Sequence, residues 1–376
     1  MEHWLINNLL TFGLAFVLTG MLIPQILVIA FRKRLFDGHD ARKVHTGEVP
    51  RLGGIAFVPA IIFSVLATVG LVLIVNSTEM LSALETTLVP LLFLICSLML
   101  LFLVGIADDL IGVRYGAKFL FQILASALLI GSGVWVSDFY GLFGLGTLPI
   151  YVGWPVTIVA VVMVVNAINL IDGIDGLAAG LSALALLFYG MVFYLGGKYI
   201  YSMVAFGAVG SLLPFIYYNV FGKAVRRKKI FMGDTGSLTI GMVLVFLAVN
   251  VTEYPFAKEE FTDVNPMIVA ISPLLVPLFD VARVFCRRLR CHRNPFMPDR
   301  SHIHHKLLAL GLSPAAALTV ILSFAMLLLA INLALSMMVD INLLVLLDIV
   351  IWIAVNMILT RTIRIREKRL GCRLYE

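Results

Sequence analysis

The sequence predicts an all-α, polytopic helical membrane protein in a single domain, with about 11 transmembrane helices. Two observations carry that expectation. The composition is 61% hydrophobic and only 13% charged, with a mean hydropathy of +1.03. Apolar runs of membrane-spanning length recur from one end of the chain to the other. The short alternating strands of a β-barrel are absent. The two or three soluble domains that 376 residues could build are excluded by the same composition.

The first apolar segment, near residues 5–31, follows Glu2 and His3 rather than a basic stretch and lacks a small-residue cleavage site. It is expected to be a retained helix and not a signal peptide. Further spans are expected near 53–75, 86–107, 117–137, 151–170, 177–196, 200–220, 237–254, 266–287, 314–337 and 341–361. Several contain Gly or Pro, which helix bundles tolerate. Four cysteines, Cys96, Cys286, Cys291 and Cys372, make no disulfide framework.

Loop charge sets the expected orientation. One set of segments carries Arg32, Lys33, Arg34, Arg42, Lys43 and Arg51, then Arg114 and Lys118, Lys223 and Arg226 through Lys229, Arg287 through Lys306, and Arg361 through Arg373. The other set has only Lys198 and Lys258 among eight acidic residues: Glu79, Glu85, Asp138, Glu253, Glu259, Glu260, Asp263 and Asp340. The positive-inside rule then places the N-terminus outside and the C-terminus in the cytoplasm. A net charge of +6 distributed this way reads as topology and lipid contact, not as nucleic-acid binding. No internal repeat is evident, so an inverted-repeat transporter lacks its sequence support.

Every polar motif falls on the expected cytoplasmic side, in loops near 32–53, 108–118, 166–176, 219–237 and 288–313. A composite site at the inner membrane surface is the expectation. Asp108–Asp109 closes an apolar run; adjacent carboxylates repel unless a cation neutralises them, and carboxylates with few other ligands suit Mg²⁺ held with a substrate's phosphates. A solvated helix end is the plain alternative. In NAINLIDGIDGL, Asn166, Asn169, Asp172 and Asp175 recur every three residues, a spacing that on a helix keeps side chains on roughly one face. Polar residues wedged between two membrane-length segments are costly and mark a site. In FMGDTGS, Asp234 lies in a glycine-flanked turn with room to reach a metal, and Phe231 offers either a stacking surface or simple packing. The basic run before it is read first as a topology determinant.

His302, His304 and His305, in HIHH, suit acid–base or phosphate-binding work. A zinc site with Cys286, Cys291 and His292 is weighed against them, and the cysteine spacing matches no familiar zinc pattern. Asp280 and Arg283, one helical turn apart, read as a structural ion pair or as support behind the site. Asp348 reads as a buried interhelical hydrogen bond.

DDxxG, NxxNxxDGxDGL, FMGDxGS and HIHH, in that order, resemble the polyprenyl-phosphate N-acetylhexosamine-1-phosphate transferases over about residues 30–310. One branch carries DDxxK and three successive histidines; here Gly112 stands in the lysine's place and Ile303 interrupts the histidines. KVHTGEVPRLGG and AKFLFQ are similar to the branch that transfers N-acetylglucosamine-1-phosphate to undecaprenyl phosphate, the step that begins O-antigen, enterobacterial common antigen and teichoic-acid linkage synthesis.

The resemblance implies Asp234 as the principal Mg²⁺ ligand, with Mn²⁺ a substitute. It implies Asp108 and Asp109 orienting or deprotonating the lipid phosphate, and Lys118 holding it. Asn169, Asp172, Asp175 and Asn219 would line the nucleotide-sugar pocket, Phe231 would stack on uracil, and His302, His304 and His305 would meet the diphosphate. The implied reaction joins UDP-N-acetylglucosamine to undecaprenyl phosphate and releases UMP, in a bacterial plasma membrane. Another UDP-N-acetylhexosamine donor, a covalent phospho-Asp109 step, and a homodimer are left open. Ion-coupled transport is the reading from a different class; it fits poorly with acids gathered at one face.

Overall fold

The computed structural model describes residues 2–35, 49–75, 78–253, 264–292, 301–372 and 374–375. Among them there is no strand, only an isolated antiparallel bridge between Asp138 and Thr147. Ten helical stretches are long and apolar enough to cross a membrane. The protein is a multi-pass helical membrane protein. Arg42, Lys43, Lys258, Glu259, Glu260, Asp263, Arg293, Arg300 and Arg373, used above for loop charge, lie outside the described residues.

The order is α1 (Glu2–Lys33), α2 (Phe57–Ile74), α3 (Thr78–Ile111), α4 (Tyr115–Gly131), α5 (Ile150–Ile171), α6 (Leu177–Leu195), α7 (Tyr199–Ile216), α8 (Gly233–Glu253), α9 (Pro266–Ile271), α10 (Leu275–Arg290), α11 (Ile303–Ala309), α12 (Pro314–Leu335) and α13 (Ile341–Leu370). Three elements depart from the sequence expectation. The fourth expected span, near 117–137, is the 17-residue α4, shorter than the other ten. It stops because Gly133 turns the chain at φ +91°. The ninth span is two helices, α9 and α10, separated by a 3-10 turn at Ser272–Leu274, where Pro273 lacks the N–H that a continuous helix needs. Finally, α3 starts at Thr78 and runs 34 residues, so Asp108 and Asp109 belong to its last turn instead of following it.

Helix α8 is the axis of the bundle. From Thr235 through Thr252 every residue is buried, with α3, α5, α6 and α9 packed around it. Lipid tails are as apolar as leucine, so helices in a bilayer associate by close fit, and small residues mark the seams. Gly105 on α3 faces the start of α8 so closely that a Cβ would lie 2.4 Å from the Thr235 Cα. A Cβ on Gly241 would lie 2.8 Å from the Val165 Cα of α5. These two contacts bring the C-terminal ends of α3 and α5 to the N-terminal end of α8.

The outer helices present large apolar side chains outward, among them Ile6, Leu9, Met21, Leu103 and Ile353. Polar groups inside find each other: Thr11 donates to Thr68 at 3.0 Å between α1 and α2. Asn332 Nδ2 donates to Asp348 Oδ2 at 2.9 Å and to Ser272 Oγ at 3.1 Å, which joins α12, α13 and the turn before α10.

Alanine is the better helix former, so Gly105→Ala would stabilise by propensity alone. Against the Thr235 backbone it should instead cost about 1–3 kcal/mol through overpacking. Gly70 of α2, with nothing within 4 Å of its Cβ position, is the control. Thermal unfolding in detergent should show Gly105→Ala below wild type and Gly70→Ala at or above it; equal midpoints for Gly105→Ala would refute the close seam.

Candidate active site at the bundle end

Adjacent residues on a helix point about 100° apart, so Asp108 and Asp109 take different hydrogen-bond partners while both border Asp234. Asp109 turns to α8. Its Oδ1 accepts the Asp234 N–H at 2.7 Å, and its Oδ2 accepts the Thr235 N–H at 2.9 Å and the Thr235 hydroxyl at 2.5 Å. These amides belong to the first turn of α8, which has no intrahelical acceptor for them. A carboxylate there also complements the helix dipole. Gly233, at φ +72°, makes the approach possible: a Cβ would lie 2.6 Å from Asp109 Oδ2 and 2.1 Å from the Arg51 carbonyl oxygen.

Asp108 takes other partners beside the same Asp234. Its Oδ1 accepts the Val113 N–H at 2.7 Å and its Oδ2 meets Lys118 Nζ at 2.6 Å. Lys118, from the first turns of α4, also reaches Asp234 Oδ1 at 2.9 Å. The same Asp234 oxygen accepts from Asn169 Nδ2 at 2.8 Å, and Asn169 also meets Ser237 Oγ at 2.8 Å. Gly112 has φ +73°, a backbone that favours glycine over the lysine of the DDxxK pattern. The amine reaches the carboxylates from Lys118 instead.

Oxygens of Asp108, Asp109 and Asp234 lie within 4.8 Å of one another, the arrangement among the described residues that could hold a metal ion. The donors fit a hard cation: all are carboxylate oxygens. Lys118, bridging Asp108 and Asp234, shows that the recess already draws positive charge. Asp109 accepts from three donors of α8, whereas Asp108 and Asp234 share the exchangeable ammonium of Lys118.

The four residues of NAINLIDGIDGL do not share one face. Helix α5 ends at Ile171, so Asp172 and Asp175 fall in the turn that Gly176, at φ +77°, closes before α6. The spacing held no helix there because two glycines follow within five residues of the helix end. Asn166 donates to Gln122 Oε1 of α4 at 2.6 Å, away from Asp234. Asn169 joins the carboxylates as described. Asp175 pairs with Lys229 at 2.6 Å. Asp172 is exposed on its solvent side, yet its pKa rises to about 7, first because surrounding protein displaces water and then because Asp234 and Asp175 repel its charge.

The turn is held from three directions. Asn219 Oδ1 accepts the Gly176 N–H at 2.6 Å and its Nδ2 donates to the Ile230 carbonyl at 2.8 Å. Both polar atoms of Asn219 thus face backbone. Lys229, which sequence reasoning assigned to a topology-setting run, is buried in its ion pair. The signal for it was position: it stands two residues before Phe231 and the FMGD segment. Residues 50–54 pair with that segment, Phe231 N–H to Pro50 O, Gly53 N–H to Phe231 O and Gly54 N–H to Met232 O, each 2.9 Å. The Phe231 side chain is half-buried. Residues 36–48 of the first loop lie outside the described residues.

The histidines close the third direction. Asp280, fully buried on α10, accepts at Oδ1 from the Ile303 N–H at 3.0 Å and from Arg283 at 2.9 Å, while its Oδ2 lies 2.8 Å from His302 Nδ1. Arg283 also donates to the Ser301 carbonyl. Asp280 and Arg283 therefore do more than pair: they hold the turn that opens α11. His304 lies over the 172–176 turn, and a Cβ on Gly173 would sit 2.1 Å from its Nε2. Neither ring nitrogen of His304 has a hydrogen-bond partner among the described residues. Burial, then the neighbouring His305 and His302, push its pKa down to about 3, so the ring is neutral. The His305 ring lies beside it, tilted by 45° with centroids 4.2 Å apart. Residues 293–300 of this loop, including Asp299, lie outside the described residues.

Removing Asp280 leaves Arg283 and the Ile303 N–H without their acceptor in a buried place. Asp280→Ala should cost about 3–5 kcal/mol, read as a lowered unfolding midpoint in detergent. Adding Arg283→Met should recover part of the loss. A midpoint unchanged in the single variant would show that the α11 turn is held by other means.

The chain matches known proteins along most of its length. The model of the family described as Glycosyl transferase family 4 matches residues 90–252, from α3 through α8. The probable undecaprenyl-phosphate N-acetylglucosaminyl 1-phosphate transferase of Bacillus subtilis (strain 168) is 30% identical over 324 residues, 85% of this chain and 83% of that protein. The undecaprenyl-phosphate alpha-N-acetylglucosaminyl 1-phosphate transferase of Salmonella typhi is 29% identical over 310 residues, 81% of this chain and 78% of that one. The Escherichia coli (strain K12) protein of the same description is 29% identical over 321 residues, 84% and 81% of the two chains. With the aspartate cluster and the identity extending over both chains, this protein belongs to the glycosyl transferase family 4 of membrane polyprenyl-phosphate sugar-1-phosphate transferases.

Proposed function

We propose that the protein transfers N-acetylglucosamine-1-phosphate from UDP-N-acetylglucosamine to undecaprenyl phosphate, releasing UMP. The relatives' descriptions support acceptor and sugar. The observation that carries the chemistry is Lys118 bridging Asp108 and Asp234 at one end of the bundle. One cation there can be exchanged among carboxylates and incoming phosphates.

In this reading an oxygen of the lipid phosphate attacks the β-phosphorus of the donor. The bond from that phosphorus to the oxygen bridging the α-phosphate breaks, and UMP leaves with that oxygen. A phosphate monoester is largely ionised near neutral pH, so no strong base is required. The work is alignment of two anions and charge neutralisation. Mg²⁺, with Mn²⁺ a substitute, would be held by Asp234 and Asp108 and would supply charge stabilisation at the diphosphate. Lys118 turns from the carboxylates to the lipid phosphate. Asn169 orients Asp234. Asp172 and Asp175 line the nucleotide-sugar pocket, and Asn219 acts on it through the Gly176 backbone.

Phe231 stacks on uracil. His304 and His305 meet the diphosphate, which would give the one N–H of the neutral His304 ring an acceptor, and His302 contributes to substrate binding beside them. Asp109, with both oxygens committed to α8, is a positioning residue; this supports direct attack over a phospho-aspartate step. Loop charge supports a cytoplasmic site, with the N-terminus outside and the C-terminus inside.

Purified protein given radiolabelled UDP-N-acetylglucosamine, undecaprenyl phosphate and Mg²⁺, without any ion gradient, should form lipid-linked product and UMP. EDTA should abolish turnover and Mg²⁺ or Mn²⁺ restore it. Asp234→Asn and Lys118→Met should each lower kcat by about 10²–10³-fold, in proteins that unfold at the wild-type temperature. Turnover only with another UDP-N-acetylhexosamine would overturn the donor; none with any, from folded protein, would overturn the reaction. For orientation, Cys372 is exposed. In intact cells expressing a variant with Cys372 as its single cysteine, an impermeant maleimide should label it only after permeabilisation; labelling before that would invert the topology.

A further inference from the structure

Away from the carboxylates, a groove of about 1220 Å³ runs between α10 and α13. Its two ends differ in chemistry. Phe279, Ile349, Trp352 and Ile353 form an apolar floor, and Arg283, Arg287, Arg290, Lys306, Arg361 and Arg364 surround the other end. None of its lining residues is acidic. On α13 the floor and the basic end are separated by 12 residues, from Ile349 to Arg361. That is ~18 Å of helix, close to half of a hydrocarbon core of ~30 Å.

Among the described residues, the basic end contains a buried ammonium with no carboxylate in hydrogen-bond contact. Lys306 is 4% exposed, and its Nζ meets only neutral oxygens among the described residues, Asn356 Oδ1 at 2.9 Å and Thr360 Oγ1 at 3.1 Å. Burial and then the charge of Arg283 push its pKa down to about 8. A smaller recess of about 340 Å³ continues from this end and shares Arg283, Arg287, Lys306 and Arg364. Glu367, at its rim, accepts the N–H groups of Leu374 and Tyr375 at Oε1, at 2.9 and 3.0 Å. Buried cations are paired or meet an anion from outside.

The groove is separate from the reaction centre. On α11, His304 lies over Gly173 while Lys306 reaches α13, so the helix stands between the two. A phosphate at Lys306 is therefore not one that meets Asp108 or Asp234. We propose that this groove binds an anionic phospholipid of the surrounding membrane, its phosphate among Arg287, Lys306 and Arg364 and one acyl chain along Phe279, Trp352 and Ile353. Through Arg283, which lines the groove and holds both Asp280 and the Ser301 carbonyl, the bound headgroup braces the α11 turn from behind.

The test is native mass spectrometry of the full chain in detergent, titrated with phosphatidylglycerol, phosphatidylcholine or undecaprenyl phosphate. Wild type should retain phosphatidylglycerol over phosphatidylcholine. Arg287→Glu with Arg364→Glu should weaken phosphatidylglycerol retention about tenfold or more. Ile353→Trp, at a half-exposed floor position, should do the same by filling the chain's place with every charge kept. It guards against misfolding of the charge-reversed variant. Equal retention of the two phospholipids, or phosphatidylglycerol binding unchanged in Ile353→Trp, would overturn the site. Undecaprenyl phosphate displacing phosphatidylglycerol from wild type and alone being lost in both variants would overturn the choice of occupant and make the groove an acceptor-lipid path.

Discussion

A helix buried along its whole length has nowhere to send its first amide groups. Helix α8 is in that position, because its N-terminal turn lies inside the bundle and the chain entering it, Met232–Gly233, brings no side-chain oxygen. Asp109 resolves this from another helix, with both carboxylate oxygens on the Asp234 and Thr235 donors. An unmet buried amide costs about 1–3 kcal/mol. The cap therefore fixes two things together: the register of α3 against α8, and the position of Asp234 at the mouth of the helix.

Once Asp234 is placed, the site assembles from groups that are each held twice. Lys118 touches two carboxylates, Asn169 touches an aspartate and a serine, and Asn219 touches two backbone segments. Such shared partners fix the resting positions of Asn169 and Asn219, while Lys118 is the group that exchanges its carboxylates for an incoming phosphate. Preorganised dipoles of this kind stabilise developing charge without reorganising at the moment of reaction. The turn between α5 and α6 shows the same economy of motion, fixed by Asn219, by Lys229 and by the ring of His304.

The bundle and the membership of the site were largely legible because both rest on composition and on residue type. Long apolar runs announce helices, and carboxylates at their ends are too costly to be idle. Direction was not legible. Asp108 and Asp109 look equivalent in sequence and take different partners within one three-aspartate cluster, one meeting Lys118 and one capping α8. The three-residue spacing in NAINLIDGIDGL suggested one face, but the helix ends midway through it. Lys229 and Asp280 were undervalued because each gains its meaning from a partner more than 20 residues away, Asp175 and His302. The length of α4 was overread because the apolar run continues past the residue where Gly133 ends the helix.

That short helix bears on the membrane itself. At ~1.5 Å per residue, 17 residues span ~26 Å against a hydrocarbon core of ~30 Å. Past its end the chain is irregular, with the Val136 N–H met by the Thr157 hydroxyl at 2.9 Å. At its beginning stands Lys118, held inward by two aspartates and so unable to snorkel. The ammonium of Lys118 is therefore kept beside Asp108 and Asp234 at the end of a short span, and the positive charge of the site stays with its carboxylates.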